Sequence, residues 1–114
     1  MGLHVERIGD VAVVMPEGML RGGKETDEVQ NVLRRLTYDG QKKIVLDLGK
    51  TSHMTSLAIG MLAGVHASAA SRNLNFCVCN IESRISSVLL QIRLLNLLTV
   101  YPTRADALKA LSDL

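Results

Sequence analysis

Two adjacent hydroxyl side chains, Thr55 and Ser56, follow a predicted buried strand and stand at the predicted start of a helix. Ser and Thr are preferred at helix N-caps, where the side-chain oxygen stabilises the helix by about 1 kcal/mol. A hydroxyl on an exposed strand-to-helix loop can also be phosphorylated, and the helix N-terminus tolerates the resulting dianion. About two new negative charges would reject a docked partner by repulsion and desolvation. The two hydroxyls can therefore be interpreted as a helix cap or as a modification site. The two roles are compatible, and the sequence leaves both open.

A glycine-rich segment, residues 18–24, reads GMLRGGK and fits the G-x-x-x-x-G-K spacing of phosphate-binding loops. It follows a predicted strand and precedes a predicted helix, and Leu46-Asp47 resembles the Asp-ended strand that holds magnesium in such proteins. However, Glu25 stands where a Ser or Thr hydroxyl should meet the metal, and its carboxylate would repel phosphates. Nucleotide binding through Gly18–Lys24 is therefore the less favoured alternative.

The histidines and cysteines do not have the spacing of a metal site. His4, His53 and His66 fall on a predicted strand, loop and helix without an H-x-x-x-H pair, and Cys77-x-Cys79 lacks a second pair. If they lie in a strand, the two cysteines point to the same face of the sheet. We therefore expect them to be small core residues of a protein in a reducing environment. His53 lies in a hydroxyl-rich stretch, TSHMTS, but sequence neighbours rarely form a catalytic pair in space. We expect no metal, no cofactor and no catalytic residue.

The composition predicts one globular domain over residues 1–114 with an aliphatic core. Hydrophobic residues make up 47% of the chain, whereas it has one Phe, two Tyr and no Trp. Stacking platforms for single-stranded nucleic acid are therefore scarce, and a net charge of +2 is too small for a nucleic-acid footprint. The first residues lack the pattern of a signal peptide, and no apolar run approaches 18 residues. We expect a cytoplasmic protein that neither enters membranes nor contacts nucleic acid.

Strand and helix patterns alternate along the chain. The predicted strands cover residues 3–8, 11–16, 44–48, 76–81 and 98–101. The predicted helices cover residues 25–38, 56–71, 83–95 and a last segment from residue 103. Gly9-Asp10 joins the first two strands as an antiparallel hairpin, and residues 18–24 and the segment that contains His53 are predicted loops. This order predicts an α/β fold: a mostly parallel, mixed sheet of about five strands, its N-terminal strand antiparallel, with about four helices.

The third predicted helix has two apolar stripes. Ile85, Val88, Leu89 and Ile92 form the first stripe. Leu90, Leu94 and Leu97 form a second stripe beside it. A helix that is apolar on two sides is either deeply buried or half of an interface. The second stripe is therefore a possible interface, including one between copies of the chain, as an alternative to a core position.

Two segments carry a resemblance to a known family. Residues 43–50 read KIVLDLGK and residues 54–62 read MTSLAIGML. This resembles the signature of STAS domains, the bacterial anti-sigma factor antagonists and their relatives, in which a V-L-D-L strand precedes a D-S-S-G-L-G segment that opens a helix. The resemblance covers nearly the whole chain, including the second strand (11–18) and the closing strand and helix (98–108). It implies a mostly parallel sheet with helices to one side.

The resemblance also implies a function. In the family, a partner that is both serine kinase and anti-sigma factor phosphorylates the first Ser of D-S-S-G and is thereby released, and a phosphatase restores binding. Carried onto this chain, the acceptor is Ser56, with Thr55 as the alternative. The implied partner-binding residues are Asp47, Thr55, Ser56, Leu57 and Gly60. The chain departs from the family pattern because Thr55 replaces Asp, Leu57 replaces the second Ser and Ala58 replaces Gly.

Similar departures occur in relatives that do not follow this switch. Some build stress-signalling assemblies, and others are non-phosphorylated STAS subunits of transporters. The expected alternative is therefore a constitutive STAS scaffold without a phosphorylation switch.

Overall fold

The computed structural model describes residues 2–83, 85 and 98–114. The strands are β1 Leu3–Ile8, β2 Val11–Pro16, β3 Gly18–Leu20, β4 Lys43–Asp47, β5 Thr51–Met54, β6 Asn75–Cys79 and β7 Val100–Tyr101. The helices are α1 Lys24–Tyr38, α2 Ser56–Ser71 and α3 Arg104–Ser112. The helix predicted over residues 83–95 falls almost entirely outside the described residues, as do Leu90, Leu94 and Leu97 of the possible second interface.

Five strands form the main sheet, in the order β1-β2-β4-β6-β7. β1 pairs antiparallel with β2, and each remaining neighbour pair is parallel. Gly9 turns the chain between β1 and β2 at φ +61, a conformation that glycine adopts without a steric penalty. The predicted α/β fold, with a mostly parallel sheet and an antiparallel first strand, is confirmed. Three helices lie in the described residues, where about four were predicted for the whole chain.

Two segments predicted as loops are strands instead. β3 and β5 pair in parallel as a separate two-stranded sheet, and the Gly18 N–H donates to the Lys50 carbonyl at 2.9 Å. Each strand is only three or four residues long and lacks a clear alternation of apolar and polar residues. The pairing joins segments that are distant in the sequence, so local patterns do not reveal it. It brings the chain after β3 beside the start of α2.

Helices cover both faces of the main sheet, so the expectation of helices on one side was wrong. Alternate residues of β2, β4 and β6 point to opposite faces, and each face has its own apolar cluster. On one face, the strands pack against buried residues of α1 and α2. The cluster on the opposite face contains Val11, Val13, Val45, Cys77, Cys79, Ala107 and Leu111. Its last two members belong to α3, which explains why the central strands are apolar on both sides.

The cysteines lie as the sequence predicted. Cys77 and Cys79 are both buried and share one face of the sheet, where they belong to the apolar cluster that includes residues of α3. Burial raises the pKa of each thiol to about 12, so both remain protonated at neutral pH. Within the part of the chain that the structure describes, no helix combines the length and apolarity required to cross a membrane.

Candidate functional site

The carboxyl ends of β2, β4 and β6 meet at one edge of the sheet because these strands are parallel. The turn after β4 leads through β5 to α2, and β3 leads to the loop before α1. Four residues that the sequence singled out lie exposed at this end of α2. We call them the α2 face, and they are Thr55, Ser56, Leu57 and Gly60.

Thr55 and Ser56 have different roles in the structure, although the sequence left both open. Thr55 is the N-cap of α2: its backbone is extended, and its Oγ1 accepts the Ala58 N–H at 3.4 Å. The Thr55 N–H donates to the Leu20 carbonyl at 3.0 Å, which ties the cap to β3. Ser56 is the exposed first residue of α2, and no described residue forms a hydrogen bond with its hydroxyl. Its Oγ therefore stays accessible while Thr55 caps the helix.

Leu57 joins the α2 face to the loop after β3. Its side chain is 69% exposed, yet one side of it lies directly on Gly22. A methyl group built on Gly22 would collide with Cβ and Cδ1 of Leu57, and the φ of Gly22 is +87. The Gly22 N–H donates to Oγ1 of Thr26 at 2.8 Å, which fixes the loop against α1. The loop and the start of α2 therefore form one continuous surface.

Gly60 leaves open space on the next turn of α2. Apart from its chain neighbours and the backbone of α2 itself, no heavy atom of the described structure lies within 4 Å of a Cβ built at this position. The sequence of α2, SLAIGMLAGVHASAAS, contains no Asp, Glu, Lys or Arg. The helix therefore offers a partner a surface without fixed charge, and small residues there let a partner approach the backbone closely.

Asp47 lies behind this surface instead of on it. The residue is 3% exposed, and Arg104 Nε donates to its Oδ2 at 2.8 Å. Its Oδ1 accepts the Asn80 Nδ2 at 3.0 Å and the Gly49 N–H at 2.9 Å. These bonds fix the turn that leads from β4 into β5 and then to Thr55. Asp47 therefore has no oxygen facing an incoming protein, whereas the sequence grouped it with the partner-binding residues.

The Asp47–Arg104 pair is ionised. Burial alone would raise the pKa of Asp47, but hydrogen bonds from Arg104, Asn80 and the Gly49 N–H outweigh burial and lower it below its ordinary value. The hydrogen bond to Asp47 is also the largest contribution that raises the pKa of Arg104. Arg104 Nη1 lies 3.2 Å from Oε1 of Glu6, so one guanidinium links α3, β4 and β1.

Sequence reasoning missed Arg104 and Asn80. Arg104 follows Asp47 by 57 positions and lies on the helix that covers the opposite sheet face. One signal was present: a carboxylate at the end of a buried apolar strand requires a cation or several hydrogen-bond donors. That signal predicts a partner for Asp47 but does not identify which of the 13 Lys and Arg residues provides it.

The Gly18–Lys24 segment does not have the arrangement of a phosphate-binding loop. Its first three residues belong to β3, and Thr26 accepts the Gly22 N–H that a phosphate would need. Glu25 and Asp27 place carboxylates in the first turn of α1. The geometry therefore gives no support to nucleotide binding at this loop.

The histidines lie apart from one another. His4 Nε2 contacts Oε1 of Glu17 at 2.9 Å on the β1 side of the sheet, whereas His53 lies on β5 and His66 on α2. Over residues 2–83, 85 and 98–114, no three His, Cys, Asp or Glu side chains come close enough to hold a metal ion.

Comparison with known proteins points to one family. A family model described as the STAS domain matches residues 3–107. No curated protein sequence matches the chain.

Several solved structures share the fold. A candidate anti-sigma factor antagonist of Thermotoga maritima superposes with a TM-score of 0.87 at 20% identity, over 95% of this chain and 92% of that chain. The Bacillus cell-fate determinant SpoIIAA, in its phosphorylated form, gives a TM-score of 0.76 at 14% identity, over 96% and 99% of the two chains. The STAS domain of a SulP transporter from Vibrio cholerae gives a TM-score of 0.74 at 22% identity, over 95% and 86%.

Proposed function

The chain belongs to the STAS domain family, and on that premise we propose that it is a bacterial cytoplasmic binding module that docks an anti-sigma factor kinase through the α2 face. The observation that carries the proposal is the accessible hydroxyl of Ser56, beside the exposed Leu57 and outside the cap made by Thr55. The structural similarity to anti-sigma factor antagonists supports it.

Ser56 is the phospho-acceptor in this proposal, and the catalytic groups belong to the partner. The kinase transfers the γ-phosphoryl group of ATP to Ser56: the Oγ–phosphorus bond forms, the bond from that phosphorus to the ADP oxygen breaks, and the hydroxyl proton passes to a base of the kinase. The phosphorylated chain then has a dianion at the start of α2, a helix that contains no Asp, Glu, Lys or Arg. Repulsion and desolvation then release the kinase, and a phosphatase restores binding by hydrolysis.

Thr55 and Asp47 have supporting roles in this proposal. A phosphate on Thr55 would occupy the oxygen that now accepts the Ala58 N–H, so phosphorylation there would disturb the helix start. Asp47 acts from behind, by holding the Gly49 turn in place through its buried carboxylate. The residues that contact the partner are therefore Ser56, Leu57 and Gly60, with Thr55 shaping the surface.

A constitutive STAS scaffold is the second candidate function. The similarity to a transporter STAS domain supports it, because that domain shares the fold at 22% identity, the same identity as an anti-sigma factor antagonist from Mycobacterium paratuberculosis. In this alternative no phosphate is added, and the interface is formed by Leu90, Leu94 and Leu97, all outside the described residues. Charge substitutions at these leucines would then disrupt the assembly.

The test is calorimetric titration of the chain with each purified kinase-type anti-sigma factor of the source organism. Wild type and Ser56→Ala should bind one of them equally, and Ser56→Glu should bind it at least about tenfold more weakly because of repulsion and desolvation at the interface. Ser68→Glu is the matched control, since Ser68 is exposed on α2 three turns from Ser56. Unchanged binding by Ser56→Glu would overturn the proposed switch.

A further inference from the structure

Arg21 lies between two residues that each touch the turn that contains Ser56. On one side, the Leu20 carbonyl accepts the Thr55 N–H at 3.0 Å. On the other side, Gly22 contacts the Leu57 side chain. Arg21 therefore lies between two residues that contact the start of α2 on either side of Ser56, and both Arg21 and Ser56 are exposed.

The guanidinium of Arg21 has only a weak partner in the unphosphorylated protein. Its Nη2 lies 2.8 Å from Sδ of Met19, and a thioether is a poor hydrogen-bond acceptor. Arg21 forms no ion pair with any residue that the structure describes. Its donors can therefore turn to a stronger acceptor at little cost, since an exposed Arg side chain loses only one weak contact.

We infer that Arg21 binds the phosphate of phosphorylated Ser56, and that this pairing shapes the surface of the modified state. The inference rests on the proposed function, because it requires a phosphoryl group on Ser56. A guanidinium presents several N–H donors in a fixed fork that matches phosphate oxygens, so it can donate two parallel bonds. The phosphorylated start of α2 is then tied to the β3–α1 loop by an ion pair, and the partner meets a reoriented Arg21 side chain together with the added charge.

Within the described part of the chain, three other charged or titratable groups lie near this loop. Lys24 begins α1, two residues beyond Gly22. Glu25 lines the same shallow depression as Arg21, together with Gly18 and Met19, and would oppose a phosphate. His53 is exposed on β5 in register with Met19, so it faces the same side of the small sheet. Among the cations of the described residues, Arg21 is the one whose two neighbours both contact the segment 55–57.

The experiment installs phosphoserine at position 56 during translation and follows the phosphate by ³¹P NMR through a pH titration. In the full chain, the second pKa of the phosphate should lie about half a unit lower than in the Arg21→Gln variant, since a nearby cation favours the dianion. Lys24→Gln is the matched control, because it removes one positive charge from the same segment. The series is repeated with His53→Gln, since His53 lies on the same side of the small sheet as Met19.

A phosphate pKa that is equal in wild type and Arg21→Gln would overturn the inference. An equal shift with Lys24→Gln would overturn it as well, because the effect would then come from the general field of the loop. Neither result depends on a kinase, so the proposed docking would still stand. Conversely, unchanged kinase binding by Ser56→Glu would overturn the proposed phosphorylation switch whatever the titration shows.

Discussion

The side chain of Leu57 lies directly on the α-carbon of Gly22, and this contact joins the β3–α1 loop to the first turn of α2. Gly22 permits the contact because it has no Cβ and adopts a left-handed backbone conformation. The leucine is otherwise 69% exposed, in a position where the family pattern has serine. An apolar side chain is thus presented beside the proposed phospho-acceptor.

We expect Gly22→Ala to destabilise the protein by about 2 kcal/mol, because the new methyl group meets Leu57 and the positive φ is unfavourable for alanine. Chemical denaturation measures this change in the free energy of unfolding. Gly60→Ala is the control, since a Cβ there meets open space and alanine favours a helix interior. That variant should gain about 0.5–1 kcal/mol; a loss of similar size in both variants would contradict the proposed contact.

Removing the hydroxyl of Thr55 should lower the free energy of unfolding more than removing the hydroxyl of Ser56. Thr55→Ala removes the side-chain cap of α2 and should lower the free energy of unfolding by about 1 kcal/mol. Ser56→Ala should change it by less than about 0.5 kcal/mol, since the hydroxyl is exposed and makes no hydrogen bond with the described residues. Thermal unfolding of the two variants gives the comparison. A larger loss for Ser56→Ala would show that Ser56 caps the helix and would weaken its role as acceptor.

Arg104 pairs with the buried Asp47 and with the exposed Glu6. We expect the Asp47 carboxylate to contribute far more to stability than the Glu6 carboxylate. Asp47→Ala leaves Arg104, Asn80 and the Gly49 N–H without their shared acceptor, and should cost about 3 kcal/mol. Glu6→Ala removes an exposed ion pair to Arg104 and should cost less than about 1 kcal/mol. Urea denaturation of both variants measures the difference; equal losses would mean that Asp47 does not hold the turn.

Asp47 should also make the fold sensitive to acid. Its pKa is lowered in the folded protein, so the unfolded chain binds more protons in acid and stability rises with pH there. The contribution is complete above the unfolded pKa of about 3.9 and is lost as the pH falls through the lower folded value. Denaturation between about pH 2 and pH 5 should therefore show a shallower pH dependence for Asp47→Asn than for wild type.

Asp10 provides the control for this titration. Its pKa is also lowered, by a hydrogen bond from Lys43, but the side chain is exposed at the β1–β2 turn. Asp10→Asn should therefore change the pH dependence of stability in acid less than Asp47→Asn does. The opposite ranking would contradict the assignment of the acid sensitivity to the buried pair.

The sequence was sufficient to predict the main sheet, because its signals are local. β2 and β4 are continuous apolar runs, and the Gly9-Asp10 turn orients β1. The β3–β5 sheet was not predictable in the same way, since its strands are short and pair only through tertiary contact. The position of α3 depends on which face of a doubly buried sheet remains uncovered, and a pattern of apolar residues does not specify this.

The candidate site shows the same limit. The sequence shows two hydroxyls at the start of α2. Which of them caps the helix and which stays accessible depends on backbone geometry, and the structure makes Thr55 the cap. The burial of Asp47 under Arg104 required the distant α3 to be placed. The contact of Leu57 with Gly22 likewise joins two loops that no local pattern connects.

Ser56 is the regulated residue of a kinase-binding surface in this proposal, and phosphate mapping can test this role. The chain is incubated with purified kinase-type anti-sigma factors of the source organism, ATP and magnesium. Mass spectrometry should find one phosphate, on Ser56, in wild type and in Thr55→Ala, and none in Ser56→Ala. The phosphorylated chain should then no longer bind the kinase that modified it. No phosphate from any of these kinases, or phosphate on Thr55 alone, would contradict the account, and the first result would favour the constitutive scaffold.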